Sequence, residues 1–124
     1  MDIMIQVIEN PFSVCKIEHL DYVDFSADYF FLSKSDEEIS LVCPTSLITF
    51  PTLAREDNWR AFRIKGTLDF SLVGLLAEIS TALAAEQIGI FAISTYNTDY
   101  ILTKAENFAD ALRALAKQGY VIEE

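Results

Sequence analysis

The residues with the most chemistry to offer lie in one nine-residue stretch, G-T-L-D-F-S-L-V-G, residues 66–74. Asp69 is the only charged residue in it. Asp69 or Ser71 is suited to capping a helix, by accepting a bond from one of its first free N–H groups. Those N–H groups, together with the helix dipole, favour a carboxylate or another anion. Gly74 has no side chain and lets a ligand or a partner backbone come close. The same residues also have a plainer reading, in which Gly66 makes a turn, Asp69 is an ordinary cap and Gly74 relieves crowding.

Nothing else in the chain assembles into a reactive centre. Cys15 and Cys43 are far apart with no C-x-x-C, and His19 is the only histidine. A zinc site or a resident cofactor therefore has no ligand set, and two buried thiols are expected. H-L-D-Y-V-D-F-S-A-D carries three Asp among aromatics but lacks the Gly and the terminal acid of a calcium loop, so it reads as a surface loop or a short helical turn. Ser94 and Thr95 belong to no G-x-S-x-G, and neither H-E-x-x-H nor a P-loop occurs. No enzyme is expected.

The elements that must hold residues 66–74 flank them directly. W-R-A-F-R-I-K alternates Phe62 and Ile64 against Ala61, Arg63 and Lys65, the period of a half-buried strand. Leu72, Leu76, Ile79 and Leu83 then fall on one face of a long helix, which ends near Gln87 and Gly89. I-F-A-I-S-T reads as a central strand because it is almost continuously apolar. Asn97-Thr98 reads as a tight hairpin turn into D-Y-I-L-T-K. A second helix runs from about 106 to 117 with Phe108, Leu112 and Leu115 inward, Gly119 ends it, and Y-V-I is a last strand. The order is βαββαβ, two helices on one face of a four-stranded antiparallel sheet.

The first half reads as strands. Ile3, Ile5 and Val7 alternate with Met4, Gln6 and Ile8, and a turn at Asn10-Pro11 would make a hairpin with F-S-V-C-K-I. A second hairpin runs from Y-F-F-L-S-K through Ser35-Asp36-Glu37 to E-I-S-L-V-C, where Ile39, Leu41 and Cys43 share a face and Pro44 stops the strand. Residues 45–58 read as a connection, within which T-S-L-I-T-F is either a short strand or a helical turn.

The chain has 124 residues, enough to build a sizeable core. With 19 acidic against 9 basic residues its net charge is -10, which opposes binding to nucleic acid or to an anionic membrane. M-D-I-M-I-Q-V-I has no basic leader, and Gln6 and Glu9 interrupt it long before about 18 apolar residues accumulate. A cytoplasmic protein is expected.

It is at G-T-L-D-F-S-L-V-G, L-A-E-I-S-T-A-L-A-A-E-Q-I-G-I-F-A-I-S-T-Y and N-T-D-Y-I-L that the chain resembles a known family. It is similar to small stand-alone ACT-domain proteins, related to the regulatory ACT domains of aspartokinases and to cytosolic amino-acid sensors. The resemblance covers residues 59–121, and more weakly the first half, where S-D-E-E-I-S-L-V-C-P fits a degenerate ACT-like pattern. Thr67 departs from it, since relatives often have Pro there. The resemblance implies an α+β chain: a degenerate β-rich ACT-like subdomain over 1–58, then a ferredoxin-like βαββαβ ACT unit over 59–124. It implies regulation by a small molecule, commonly an amino acid, held between two ACT units. Carried onto this chain, the ligand residues are Asp69, Phe70, Ser71, Leu72, Val73 and Gly74, then Phe91, Ala92, Ile93 and Ser94. A homodimer is expected, with an unidentified protein partner for any output. The alternative is a dimeric protein-interaction scaffold that binds no ligand.

Overall fold

The computed structural model describes residues 3–65 and 74–124. Their elements are β1 (Met4–Ile17), β2 (Phe31–Lys34), β3 (Ile39–Pro44), β4 (Ala54–Lys65), α1 (Leu75–Ala85), β5 (Phe91–Ser94), β6 (Asp99–Lys104), α2 (Ala105–Lys117) and β7 (Val121–Glu123). Contacts gather into two units: Met1–Glu9 with Arg60–Glu124, and Asn10–Trp59. The boundary falls inside β1 and inside β4, so each of these strands contributes to both units.

In the first unit the strand order is β7-β1-β4-β6-β5. All six elements of the expected βαββαβ are present, and the fold is α+β with ferredoxin-like character. One strand is added to the expected sheet. The start of β1 lies between β4 and β7, and pairs in parallel with β7 through Met4↔Val121, Ile5↔Ile122 and Gln6↔Glu123. The reason lies in Ile3 and Ile5, which fill the same core as the helices. That core takes Phe62 and Ile64 from β4, Ile79 and Leu83 from α1, Ile101 from β6, and Phe108, Ala111 and Leu115 from α2. The other face of this sheet is crossed by a polar strip. Arg63 donates from Nε to Gln6 Oε1 at 2.6 Å and from Nη1 to the Tyr100 hydroxyl at 3.2 Å, and Gln6 Nε2 donates to Glu123 Oε1 at 2.9 Å.

β5 is an edge strand, not a central one. Among the described residues it pairs only with β6, in the antiparallel register Phe91↔Leu102 to Ser94↔Asp99. Its apolar look has a different cause: Ile90, before the strand, packs on the core, and Phe91 and Ile93 are half-buried while Ala92 and Ser94 are exposed. The stop of α1 also differs from expectation. Gln87, not Gly89, takes the left-handed conformation at φ 59°, and Ile88 N–H reaches back to Leu83 C=O at 3.0 Å. That six-to-one bond is the Schellman closure of a helix end. α2 ends the same way at Gly119, φ 99°, with Tyr120 N–H on Leu115 C=O at 3.2 Å.

The second unit is built on β2-β3-β1, antiparallel throughout. Its core is Cys15, Ile17, Val23, Leu41 and Cys43, so Ile39, Leu41 and Cys43 do point the same way. The expected first hairpin is absent, because β1 runs unbroken through Asn10-Pro11. Pro11 falls between the stretch paired with β7 and the stretch paired with β3, where neither ladder needs its missing N–H. T-S-L-I-T-F resolves as a 3-10 turn over Thr45–Leu47, and A-R-E-D-N belongs to β4 instead of to a connection. These charges suit a strand because they are paired along it. Arg55 Nε bonds Asp57 Oδ1 at 2.8 Å, which accepts from the buried Ser13 hydroxyl at 2.5 Å, itself 2.7 Å from Thr45 Oγ1. Cys15 and Cys43 are free and buried, and burial pushes both thiols up, Cys43 to about 11. No described helix is long and apolar enough to cross a membrane.

Candidate ligand-binding site

Gly74 stands at the mouth of α1 as its N-cap residue, so it precedes the first turn instead of lying within it. Its φ is 90°, a left-handed value that an L side chain adopts only under strain. Among the described residues, a Cβ built there would meet nothing within 4 Å. The constraint they place on this position is therefore backbone conformation. The Gly74 carbonyl accepts from Glu78 N–H at 2.8 Å and closes the first turn, and Leu75 and Leu76 lean on the core and fix the helix entry. Gly74 supplies no side-chain cap. The expected capping residues Asp69 and Ser71, and the ligand candidates Phe70, Leu72 and Val73, lie outside the described residues.

Glu78 in that first turn is held by the Tyr120 hydroxyl, which donates to its Oε1 at 2.8 Å. Burial, and then this bond, push the Tyr120 hydroxyl up to about 12. Glu78 also lines a cavity of ≈ 400 Å³ with Ala77, Thr81, Ala82, Ala85 and Gln118. The small residues of α1 leave this hollow open, and Glu78 and Gln118 give it its polar edge.

The other expected ligand residues, Phe91, Ala92, Ile93 and Ser94, form β5 itself, with its second edge unpaired among the described strands. At its end the Ser94 hydroxyl donates to Asp99 Oδ1 at 2.6 Å. The connection to β6 is a four-residue turn, 95–98, not the two-residue turn suggested by Asn97-Thr98. Thr95 N–H and Oγ1 both bond the Thr98 carbonyl, at 2.9 and 2.7 Å. Thr98 Oγ1 in turn donates to Ile64 C=O at 2.5 Å, fastening the turn to the end of β4, after which residues 66–74 begin. Tyr96 at the tip is fully exposed. Asp99 was not among the residues singled out from sequence. The signal for it is register: in an S-x4-D hairpin with a four-residue turn, the two side chains face each other across the strands.

This arrangement offers a backbone edge, a hydroxyl and carboxylates to a small polar molecule. Among the described residues no three His, Cys, Asp or Glu side chains gather to hold a metal ion.

Residues 54–117 match the family model described as "ACT domain". The human protein "Cytosolic arginine sensor for mTORC1 subunit 1" is 31% identical over 84 residues, 67% of this chain. The bovine protein of that name matches to the same extent. The matched region is 25% of the relative's length, so the chain spans only a fraction of it. Among solved structures, a protein from Agrobacterium tumefaciens superposes with TM-score 0.87 over 98% of this chain and 92% of that one, at 20% identity. The aspartate kinase of Clostridium acetobutylicum superposes with TM-score 0.65 over 90% of this chain and 33% of its own, at 14% identity. Those two likenesses show the fold alone. The family model spans more than half of the sequence, from β4 through α2, and this chain belongs to the ACT-domain family, a family of regulatory domains.

Proposed function

We propose that this chain is a cytoplasmic regulator that binds an amino acid, held between its ACT unit and a second ACT unit supplied by another copy. The observation that supports the reading is the start of α1, where a left-handed glycine, with no described atom within 4 Å of a Cβ built on it, leads into the first-turn N–H groups. Such a helix start suits an α-carboxylate. In this reading Asp69, Phe70, Ser71, Leu72, Val73 and Gly74 meet the ligand from one side. The edge of β5, from Phe91 through Ala92 and Ile93 to Ser94, meets it from the other, with Asp99 positioning Ser94. The subdomain division at 58/59 belongs to the same proposal, as does the absence of catalysis. Because the matched relatives are named as arginine sensors, arginine is the first ligand to test.

The test is thermal denaturation of the purified chain against the twenty amino acids. A binder stabilises by RT ln(1 + [L]/Kd), about 2.7 kcal/mol at a hundredfold excess over Kd. An amino acid that raises Tm in the wild type, and does so less after Asp99→Asn, supports the reading. A well-folded protein that responds to none of the twenty refutes it. The charge-free composition of β5 and its place at the end of the strand order favour a second reading, a dimeric scaffold joined edge to edge without ligand. That reading expects a dimer in sedimentation that a proline at Ala92 dissociates, and no amino-acid response.

A further inference from the structure

The acidic and aromatic loop of residues 18–28 plays no part in the proposed ligand site, yet it carries two of the large apolar side chains that the fold leaves exposed. Leu20 is 41% exposed and Phe25 is 68% exposed. Neither position follows from a loose loop. Val23 between them is buried in the core of its unit. Asp24 accepts the Ser26 N–H at 3.0 Å and the Ser26 hydroxyl at 2.6 Å, and the Asp24 carbonyl accepts Ala27 N–H at 3.1 Å. Phe25 is thus held at the tip of a bonded turn, with Phe30 edge-on behind it at 5.3 Å between ring centroids.

Beside that turn, Tyr22, Asp24, Phe30, Leu47 and Phe50 line a shallow apolar crevice over Leu41 and Cys43, of ≈ 10 Å³ and so too small to admit a side chain, whose mouth is aromatic. Tyr22 and Phe50 stack at 4.9 Å on one side of it. An aromatic crevice with a carboxylate in its wall attracts a cation through both the ring faces and the charge. The charge of the whole unit points the same way: Asn10–Trp59 contains nine carboxylates against Lys16, Lys34 and Arg55. Four of the nine, Glu18, Asp21, Asp24 and Asp28, are exposed in this loop. Two copies of such a face repel each other, so charge selects against self-pairing and for a basic partner.

We infer that the surface formed by Leu20, Phe25 and the Tyr22–Phe30–Phe50 crevice, ringed by Asp21, Asp24 and Asp28, docks a basic amphipathic segment of another protein. Its apolar side chains would cover Leu20 and Phe25, and an arginine or lysine would lie across the crevice mouth beside the exposed Asp24. This surface shares no residue with the proposed amino-acid site and stands or falls without it.

The experiment is fluorescence anisotropy of the full chain with a fluorescein-labelled peptide of arginine and leucine at helical spacing, beside a control in which serine replaces leucine at equal charge. Saturable binding of the leucine peptide is expected, weakened about tenfold or more by Phe25→Ser and by the pair Asp21→Asn with Asp28→Asn. Leu20→Ser should weaken it in the same direction. These side chains lie outside the core, so each variant should stay folded, with at most a small loss of Tm, and keep any amino-acid response. Equal binding of both peptides would mean diffuse attraction to an acidic protein and would overturn the inference, as would no binding or indifference to Phe25→Ser. Concentration-dependent self-association lost in Phe25→Ser would overturn it in favour of a second copy as occupant.

Discussion

Replacing Gly74 by alanine isolates one physical term. Since a Cβ there meets nothing within 4 Å among the described residues, the variant introduces no clash with them and removes no contact. What remains is the φ of 90°, where an L residue is about 1–2 kcal/mol less favourable than glycine. Alanine also restricts the unfolded chain, which returns a few tenths to about 1 kcal/mol. The net expectation is a loss of about 1 kcal/mol, equivalent to roughly 3–5 °C in Tm for a chain of this size. The assay is urea denaturation of wild type, Gly74→Ala and Gly74→Asn, read for midpoint and slope. Asparagine tolerates the left-handed region better than alanine, so Gly74→Asn should fall between the other two. Valine, stiff at its branched Cβ, should be worse than alanine. Equal stability of Gly74→Ala and wild type, at unchanged slope, would refute the strained helix entry. With it would go the main support for an open helix start as the ligand's anchor.

Three further outcomes follow from other positions. Gln87→Gly should stabilise by about 0.5 kcal/mol, because a glutamine now occupies the left-handed closing position of α1 at φ 59°; a thermal scan showing destabilisation would refute this. The Tyr120 hydroxyl is raised to about 12 when folded, so its contribution is complete below the unfolded value of about 10 and is lost as pH rises through 12. Measured between pH 9 and about 12, the stability advantage of wild type over Tyr120→Phe should therefore shrink with rising pH, and an advantage constant with pH would contradict the assignment. Cys15 and Cys43, both buried with raised thiols, should resist a thiol-reactive disulfide reagent at about pH 8 until the chain unfolds, and immediate reaction of either in the native protein would place it at the surface.

Local pattern carried the second half of the fold well. The alternation of Phe62 and Ile64, the helical spacing of Ile79 and Leu83, and Phe108 with Leu115 all face the core as their periods require. Pattern was less informative where partners decide the outcome. The apolarity of I-F-A-I-S-T suggested a central strand, yet an edge position is compatible with it because only alternate residues need cover. Asn10-Pro11 looks like a turn in isolation and is extended here because β1 changes neighbours at that point. Gln87 carries no local mark of positive φ, and the nearby Gly89 drew the helix end to itself. Within the proposed site, Ser94 is carried over from the resemblance, whereas Asp99 is suggested only by the strand register that sets it opposite Ser94.

The pairing of β1 with β7 bears on how the chain reaches its native state. Gln6 and Glu123 are 117 residues apart in sequence yet share a hydrogen bond. The loop-closure entropy of such a contact favours late formation, after the local β5–β6 hairpin and the contact of α1 with α2. Until β1 is seated, the β4 side that it covers is an open strand edge, available to the same segment of a neighbouring molecule. Exchange of this strand between molecules during refolding at high concentration is the misassembly to which this topology is most exposed.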